Sequence, residues 1–393
     1  MKIAILGPIN SKNLYPLIKK KKLKFLPKGH GVSHLPNLAK GLLKLGYQVS
    51  LITLSDDISK NKIIFLKNKK LKIYFCPLRK NLFRLGGILC GQEINNLKNA
   101  IEKDNPDIVH ANWIYEYAFA ASNSKKKYVL TNHDIPHVIL KYQKNIFRLI
   151  RFFMGYISLK RAKTIITPSK YAKLQTSKYT NNSISVISNT SLSKDLFNSK
   201  IKQKKINKKI NIVMLNNGFT PFKNIKIALK AFKEFNKFSP DSYLNLIGHG
   251  MEKDSICYKW AKESSLTKNV IFIGHLEHTY LMKVFHKYDV LLHTSLEETF
   301  GNIYIEAMIK GVPIIAGKKS GATPEIIKNN GLLVDVKNCK QIVNALKKYL
   351  QNPTLWKKIR YRAYNHIKLN YSNKILVRKH LLIYKKTLKK SNG

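Results

Sequence analysis

Residues 291–325, LLHTSLEETFGNIYIEAMIKGVPIIAGKKSGATPE, constrain the fold more than any other stretch of the chain. Tyr288 and Val290 to Leu292 lead in as a short apolar run suited to a buried parallel strand. A polar turn follows at Ser295 to Thr299. After Phe300, Gly301 and Asn302 a helical period begins at once with Ile303, Ile305, Ala307 and Met308. Gly311 and Pro313 are end-of-helix signals, and Val312 to Ala316 reads as the next strand. Strand, polar loop, short helix and strand in that order make one βαβ unit of a doubly wound α/β sheet.

Two acids sit in this unit, Glu298 and Glu306. On one continuous helix their separation is about 800°, which leaves them about 80° out of line. The pattern instead puts Glu298 on the loop leaving the strand and Glu306 in the early turns of the helix. Both then point at the crevice outside the carboxyl ends of the strands, where open α/β sheets bind ligands. Gly301 lets backbone approach a ligand closely, and the first helical N–H groups, around Asn302 and Ile303, are donors aimed at the same spot. Carboxylates accept from ribose and hexose hydroxyls, so a nucleotide diphosphate flanked by sugar hydroxyls suits the place. The ordinary alternative is a pair of acids favoured near a helix start by its dipole.

Glu298 to Gly301, Glu306 with Ala307 and Met308, Gly311 to Pro313, and Gly321 followed by Pro324 and Glu325 occur in that order. Together they resemble the retaining glycosyltransferases of family four, the glycosyl transferases group 1, whose signature is E-x7-E followed by E-A-M-x-x-G-x-P. The resemblance implies the α/β GT-B fold, two facing Rossmann-like domains with the active site in the interdomain cleft. It implies transfer of a sugar from a nucleotide sugar to a hydroxyl of a glycan or lipid-linked saccharide, with retained anomeric configuration. Bacterial surface polysaccharide synthesis is the setting it suggests. Glu306 is expected to hold ribose hydroxyls and Glu298 to sit near the donor sugar. Thr299 and Phe300 are expected on the donor side. Lys223 and the helix start at Gly301 and Asn302 are expected to neutralise the leaving diphosphate, the main catalytic effect. No cofactor and no metal are expected, and the sequence contains no Asp-x-Asp.

The chain has 393 residues, which suggests two domains. No apolar run reaches the roughly 18 residues of a membrane span. Met1 to Gly7 is too short for a signal peptide and reads as the first strand. Cys76, Cys90, Cys257 and Cys339 are scattered, with no Cys-x-x-Cys, so neither zinc nor a redox pair is indicated and a reducing cytoplasm fits. With 72 basic and 21 acidic residues the formal charge is +51, which attracts polyanions. Three readings stand open. The lysines are solvated faces, or they dock on anionic lipid headgroups at about 1 kcal/mol each, or they bind nucleic acid. No zinc-finger, RNP-type or glycine-rich pattern supports the last. The expected location is cytoplasmic, either free or peripheral on the inner face of the cell membrane.

In the first half, residues 2–6, a helix near 33–46 and Gln48 to Leu54 make the first βαβ. The long basic loop between them, with Lys19 to Lys22, Lys24 and Lys28, ends at Gly29 and Gly31. These two match the family's glycine loop, which meets donor and acceptor, although His30 separates them. A flexible turn before a helix is the alternative. Pro106 and Asp107 precede a short strand, after which Trp113, Tyr115 and Glu116 fall where an acceptor could be held. Aromatic faces suit sugar rings, and they also pack cores. His133, beside Asp134 at a strand's carboxyl end, matches the family's histidine at the transferred sugar. Residues 139–162 read as a basic amphipathic helix or pair of helices, either lying on a membrane surface or packing the core with a wet basic face. Ser169 is a suitable N-cap.

The charge-rich stretch 198–209 reads as a linker, and the resemblance implies an acceptor-side Rossmann-like domain at 1–197, the nucleotide-sugar domain at 210–370 and a helix at 371–393 crossing back to the first domain. In the second domain Lys223 stands at the family's lysine position, while Gly218 stands where an arginine is usual. The diphosphate clamp is then weaker, is completed by another residue, or draws on backbone N–H groups at Gly218. His275 and Leu276 are placed by the resemblance at the nucleotide base. Two rival readings remain, a GT-B nucleotide-sugar epimerase and a non-catalytic basic protein binding membrane or nucleic acid.

Overall fold

The computed structural model describes residues 1–15, 17, 18, 23, 26–29, 31, 34–58, 64–67, 70–79, 90–189, 192, 197, 200–206 and 209–389. Lys19 to Lys22, Lys24, His30 and part of the 198–209 segment lie outside these residues. The chain forms two compact units, residues 1–193 with 373–393, and residues 194–372.

In the first unit, in chain order, the elements are β1 (Lys2–Leu6), α1 (His34–Lys44), β2 (Gln48–Ser55), β3 (Ile64–Lys67), β4 (Leu71–Pro77), α2 (Gly91–Asp104), β5 (Ile108–Asn112), α3 (Glu116–Asn123), β6 (Tyr128–Thr131), α4 (Pro136–Tyr142), α5 (Ile146–Arg161), β7 (Thr164–Thr167), α6 (Lys170–Thr176) and β8 (Ser183–Val186). The sheet order is β3-β4-β2-β1-β5-β6-β7-β8, parallel throughout except for β3. Strands such as β1 and β5 are buried along nearly their whole length because helices cover both faces of the sheet. One face packs Leu97, Ile101, Ala121 and Leu159 from α2, α3 and α5. The other packs Leu38 and Leu42 of α1 with residues of the C-terminal helix. Local chemistry fixes the starts: Asn145 accepts the Arg148 N–H at 2.9 Å, and Ser169 accepts the Ala172 N–H at 3.0 Å.

The second unit continues with β9 (Asn211–Leu215), α7 (Ile225–Phe238), β10 (Tyr243–Ile247), α8 (Ile256–Glu263), β11 (Val270–Gly274), α9 (His278–Val284), β12 (Val290–His293), α10 (Asn302–Ile309), β13 (Ile314–Gly317), α11 (Thr323–Ile327), β14 (Leu332–Val334), α12 (Cys339–Gln351) and α13 (Pro353–Asn370). Its sheet is all parallel in the order β11-β10-β9-β12-β13-β14. The order reverses between β9 and β12, the switch point at which doubly wound sheets open a crevice for ligands. Buried Arg360 on α13 donates to the carbonyls of Gly311 at 2.7 Å and Lys202 at 2.8 Å, which ties the 200–206 segment to this unit.

The last helix, α14 (Asn373–Lys389), belongs to the first unit. Val377 closes on Gly41 of α1, leaving no room for a Cβ there, and the Tyr384 hydroxyl meets His110 Nδ1 at 2.7 Å.

Candidate active site

Three loops leave the carboxyl ends of β9, β10 and β11 and are laced together by backbone bonds. Asn216 donates to the Ile247 carbonyl at 3.0 Å, Gly218 to that of His249 at 2.8 Å and Gly248 to that of Gly274 at 2.8 Å. With the loop after β12 they enclose a cavity of about 340 Å³ at the switch point. Its walls include Asn216, Asn217, Lys223, His275, Leu276, His278, His293, Glu298, Gly301, Asn302 and Ile303.

Glu298 is the electrostatic centre of this wall. Its Oε1 lies 3.0 Å from Lys223 Nζ and 3.0 Å from His293 Nε2. Lys223 ends a short turn, Pro221–Lys223, held to the β12 loop by the Thr294 hydroxyl, which donates to the Lys223 carbonyl at 3.1 Å. Burial alone would raise the Glu298 pKa, but the Lys223 charge and the His293 hydrogen bond prevail and hold it well below the ordinary carboxylate range. Glu298 is therefore an acceptor, not a proton donor.

Gly301 turns the chain into α10. Its φ is +77°, and a Cβ there would come within 2.4 Å of the Tyr304 ring, so only glycine fits. Gly301, at the N-cap, has no side chain to bond the first turn of α10, and that turn is part of the cavity wall. Glu306 stands one layer back from the cavity. It is only 8 % exposed, and its Oε1 meets His278 Nε2 at 2.9 Å. Burial pushes the His278 pKa down, but the Glu306 charge and hydrogen bond outweigh it and leave the pKa raised.

His275 and Leu276 line the cavity, with the His275 ring stacked on His249 at 4.1 Å. Thr299 and Phe300 do not line it. Phe300 is 2 % exposed and packs near Tyr371, with ring centroids 6.2 Å apart. The suggestion that Gly218 offers a backbone N–H to the diphosphate is corrected: that N–H is taken up by the His249 carbonyl, and Gly218 is not part of the wall.

Sequence reading missed three wall residues. His293 and His278 hold the two acids, and neither lies in a local motif that marks such a role. Asn216 is buried at 5 % exposure, and both polar atoms of its amide lack a hydrogen-bond partner among the described residues. An orphaned amide on a cavity wall is a donor and an acceptor ready for a ligand. Its only sequence signal is a polar residue immediately after a buried strand.

The first unit has its own cavity, about 240 Å³, walled by Leu54, Trp113, Tyr115, Tyr117, Asp134, Phe147, Arg148 and Arg151 among others. Trp113 Nε1 donates to Asp134 at 2.7 Å, and the Arg151 guanidinium lies 4.5 Å from the Tyr115 ring centroid and bonds Glu116. Aromatic faces beside fixed planar polar groups suit a sugar ring. His133 sits next to this cavity, its Nε2 3.3 Å from Asn112 Oδ1 and its ring 5.1 Å from that of His34. Burial, with the charge of His380 acting the same way, lowers its pKa to about 4. Gly29 and Gly31 are in this unit, against the carbonyls of Ile9 and Pro8, and the Gly29 N–H donates to Ser55 Oγ at 2.9 Å. Among the described residues no group of three His, Cys, Asp or Glu side chains is arranged to hold a metal ion. Nor, among them, is any helix long and apolar enough to cross a membrane.

Two family models match the chain. That described as glycosyl transferases group 1 matches residues 197–366, and that described as glycosyltransferase family 4 matches residues 31–190. An uncharacterised glycosyltransferase of Haemophilus influenzae is 26 % identical over 331 residues, 81 % of this chain and 86 % of that one. Among solved structures, sucrose-phosphate synthase of Thermosynechococcus elongatus superposes with a TM-score of 0.73 at 17 % identity, covering 98 % of each chain. HepE of Anabaena, solved in complex with UDP, has a TM-score of 0.65 at 16 % identity, covering 98 % of this chain and all of that one.

Proposed function

The chain is a glycosyltransferase of group 1 with the GT-B fold, and from that premise we propose that it moves a sugar from a nucleotide-sugar donor to a hydroxyl of a glycan or lipid-linked saccharide, with retention of configuration. The observation that carries this reading is the second-unit cavity, where Lys223, Glu298, the first turn of α10 and the orphaned Asn216 amide converge. In the reaction the bond from the anomeric carbon to the phosphate oxygen breaks and a bond to the acceptor oxygen forms on the same face. The bonding pair stays with the nucleoside diphosphate, whose freed phosphate oxygen takes the proton of the acceptor hydroxyl. Lys223 and the α10 N–H groups face the charge that develops on the leaving oxygen. Ionised Glu298 accepts from donor-sugar hydroxyls. Glu306 accepts from the ribose once His278 yields. The neighbour's complex with UDP supports a nucleoside diphosphate as the leaving group.

The acceptor sugar is assigned to the first-unit cavity, on Trp113 and Tyr115, with His133 close by. We place the reaction at the inner face of a bacterial membrane, in surface polysaccharide synthesis, without a divalent metal. The test is a thermal-shift screen against UDP, GDP, ADP and CDP and their sugar conjugates in EDTA. A ligand at 100 times its Kd adds about 2.7 kcal/mol. A clear shift for one base is the expected result. No shift with any nucleotide on a cooperatively unfolding sample overturns the reading. Product analysis with the identified donor then reports the anomeric outcome.

A further inference from the structure

Helix α5 has two opposite faces of contrasting character. Arg151, Met154, Gly155, Ser158 and Leu159 are buried against the first unit. Ile146, Leu149, Phe153, Tyr156 and Ile157 are all exposed, Ile146 at 62 % and Phe153 at 54 %. At 100° per residue these five side chains fall within an arc of about 100°, centred opposite the buried face. Nothing in a monomer's own packing asks for five large apolar side chains in one exposed stripe, and a stripe of this kind marks an interaction surface.

Charge says what the stripe meets. From Ile135 to Lys163 the chain carries Lys141, Lys144, Arg148, Arg151, Lys160, Arg161 and Lys163, and no acidic residue. Lys141, Lys144, Lys160, Arg161 and Lys163 are exposed at the two ends of the stripe. Tyr179 packs against Tyr156, with ring centroids 6.4 Å apart, and its neighbour Lys178 adds an exposed cation at the side. An apolar stripe with these cations at its rim, on a chain of formal charge +51, complements an anionic lipid surface: the apolar side chains enter the acyl boundary while the lysines and arginines stay at the phosphates. A nucleic acid has no apolar face for five adjacent aliphatic and aromatic groups, and a protein partner would have to bring its own acidic residues to meet these cations.

We propose that the outer face of α5 docks this protein on an anionic bilayer. The same helix connects that face to the first-unit cavity. Phe147, Arg148 and Arg151 line the cavity, and Phe147 and Arg148 stand between Ile146 and Leu149 of the stripe. The rim of the cavity is therefore within one helical turn of the lipid contact, which suits a saccharide carried on a lipid. The docking itself does not rest on the transfer reaction, so it is testable without donor or acceptor.

The experiment is sedimentation of the full chain with vesicles of phosphatidylcholine alone and of phosphatidylcholine with 30 % phosphatidylglycerol, at low salt and at 0.5 M salt. Wild type binds the anionic vesicles and keeps part of its binding at high salt, because apolar insertion is not screened. Phe153→Asp/Ile157→Asp loses that salt-resistant binding, a drop of at least tenfold in partitioning. Ile256→Asp/Leu382→Asp is the charge-matched control, since these two exposed apolar residues lie on α8 and α14. It retains binding within about twofold. Lys144→Glu/Lys160→Glu weakens binding by about fivefold for each cation removed. All variants keep the wild-type unfolding midpoint, because every substituted side chain is exposed. Equal losses in the α5 pair and its control, binding abolished by salt in wild type, or a stripe variant that binds as well as wild type would each overturn the proposal. Retention on nucleic acid but not on vesicles would also overturn it.

Discussion

Lys223→Ala is the most informative single change in the second-unit cavity. Lys223 and Glu298 are 3.0 Å apart, and their side chains are 21 % and 16 % exposed. At an effective dielectric constant of about 20 the gross attraction is about 5 kcal/mol. Desolvation of both groups cancels most of it, so removing the lysine destabilises the unit by about 1–2 kcal/mol. His293 remains on Glu298 and limits the damage. The catalytic loss is larger. Removing one preorganised partner of a developing oxyanion costs about 10²- to 10³-fold in kcat. Steady-state release of nucleoside diphosphate at saturating donor measures it, and Lys223→Arg retains most of the rate. A second comparison separates two roles. If Lys223 served only to neutralise Glu298, Lys223→Ala/Glu298→Gln would recover activity relative to Lys223→Ala; if it acts on the leaving diphosphate, the double variant stays low. A Lys223→Ala enzyme with kcat within threefold of wild type would refute the assignment.

Glu306→Ala is expected to weaken donor binding by about 10- to 100-fold, the worth of a hydrogen bond to a charged group, with a smaller effect on kcat. Isothermal titration with the donor found by thermal shift reads this directly, and equal affinity would remove Glu306 from the ribose site. Because His278 has a raised pKa and occupies Glu306, donor affinity should increase as the pH rises through the His278 pKa and frees the carboxylate. A pH-independent affinity would show that His278 does not compete. The first unit should lose stability in mild acid. Burial lowers His380 and His133 to about 4 and His110 well below its ordinary value. Their unfolded pKa is about 6.5, so the stability they contribute is complete above that pH and is lost as pH falls towards 4. For His380 this is at most about 3 kcal/mol. Unfolding midpoints between pH 7 and 4 test it: His380→Gln flattens the slope, and a midpoint constant over this range contradicts the burial argument.

The βαβ unit at 291–325 was legible because a strand buried on both faces must be an unbroken apolar run and its helix must stop at Gly311. The division of 139–162 into α4 and α5 was half legible, since the apolar period there is mixed and Asn145, which caps α5, lies inside it. Residues 64–67, 71–77 and 91–104 form β3, β4 and α2, of which the sequence marks only the helix end near Asn105. Lysines interrupt the apolar alternation of the strands, and α2 buries Ile94, Leu97 and Ile101 on a helix otherwise mostly polar. The site was unevenly legible for a different reason. Glu298 and Glu306 stand in one ordered motif, but the partner of Glu306 is His278, 28 positions away, and besides the nearby His293 the partner of Glu298 is Lys223, 75 positions away. Such pairings are set by the sheet order at the switch point, which no local pattern contains.

At Gly218 the cavity lacks a pairing of this kind. With its N–H tied to His249, residue 218 supplies neither a side-chain cation nor a backbone donor. Among the described residues that line the cavity Lys223 is the only lysine or arginine, and it is shared with Glu298. On the proposed reading, the diphosphate then meets one side-chain cation among the described residues, with the Asn216 amide and the first turn of α10 as neutral donors. Gly218→Arg tests this. Space is not the obstacle, since a Cβ there meets nothing nearer than Thr220 Cγ2 at 3.7 Å. Conformation is the cost, because φ is +88°, which penalises any side chain by about 1–2 kcal/mol. The variant should melt lower yet bind nucleoside diphosphate about tenfold tighter, with the gain lost at high salt, as a new charge-assisted contact requires. A folded Gly218→Arg protein with unchanged nucleotide affinity would mean that neutral donors already complete the clamp.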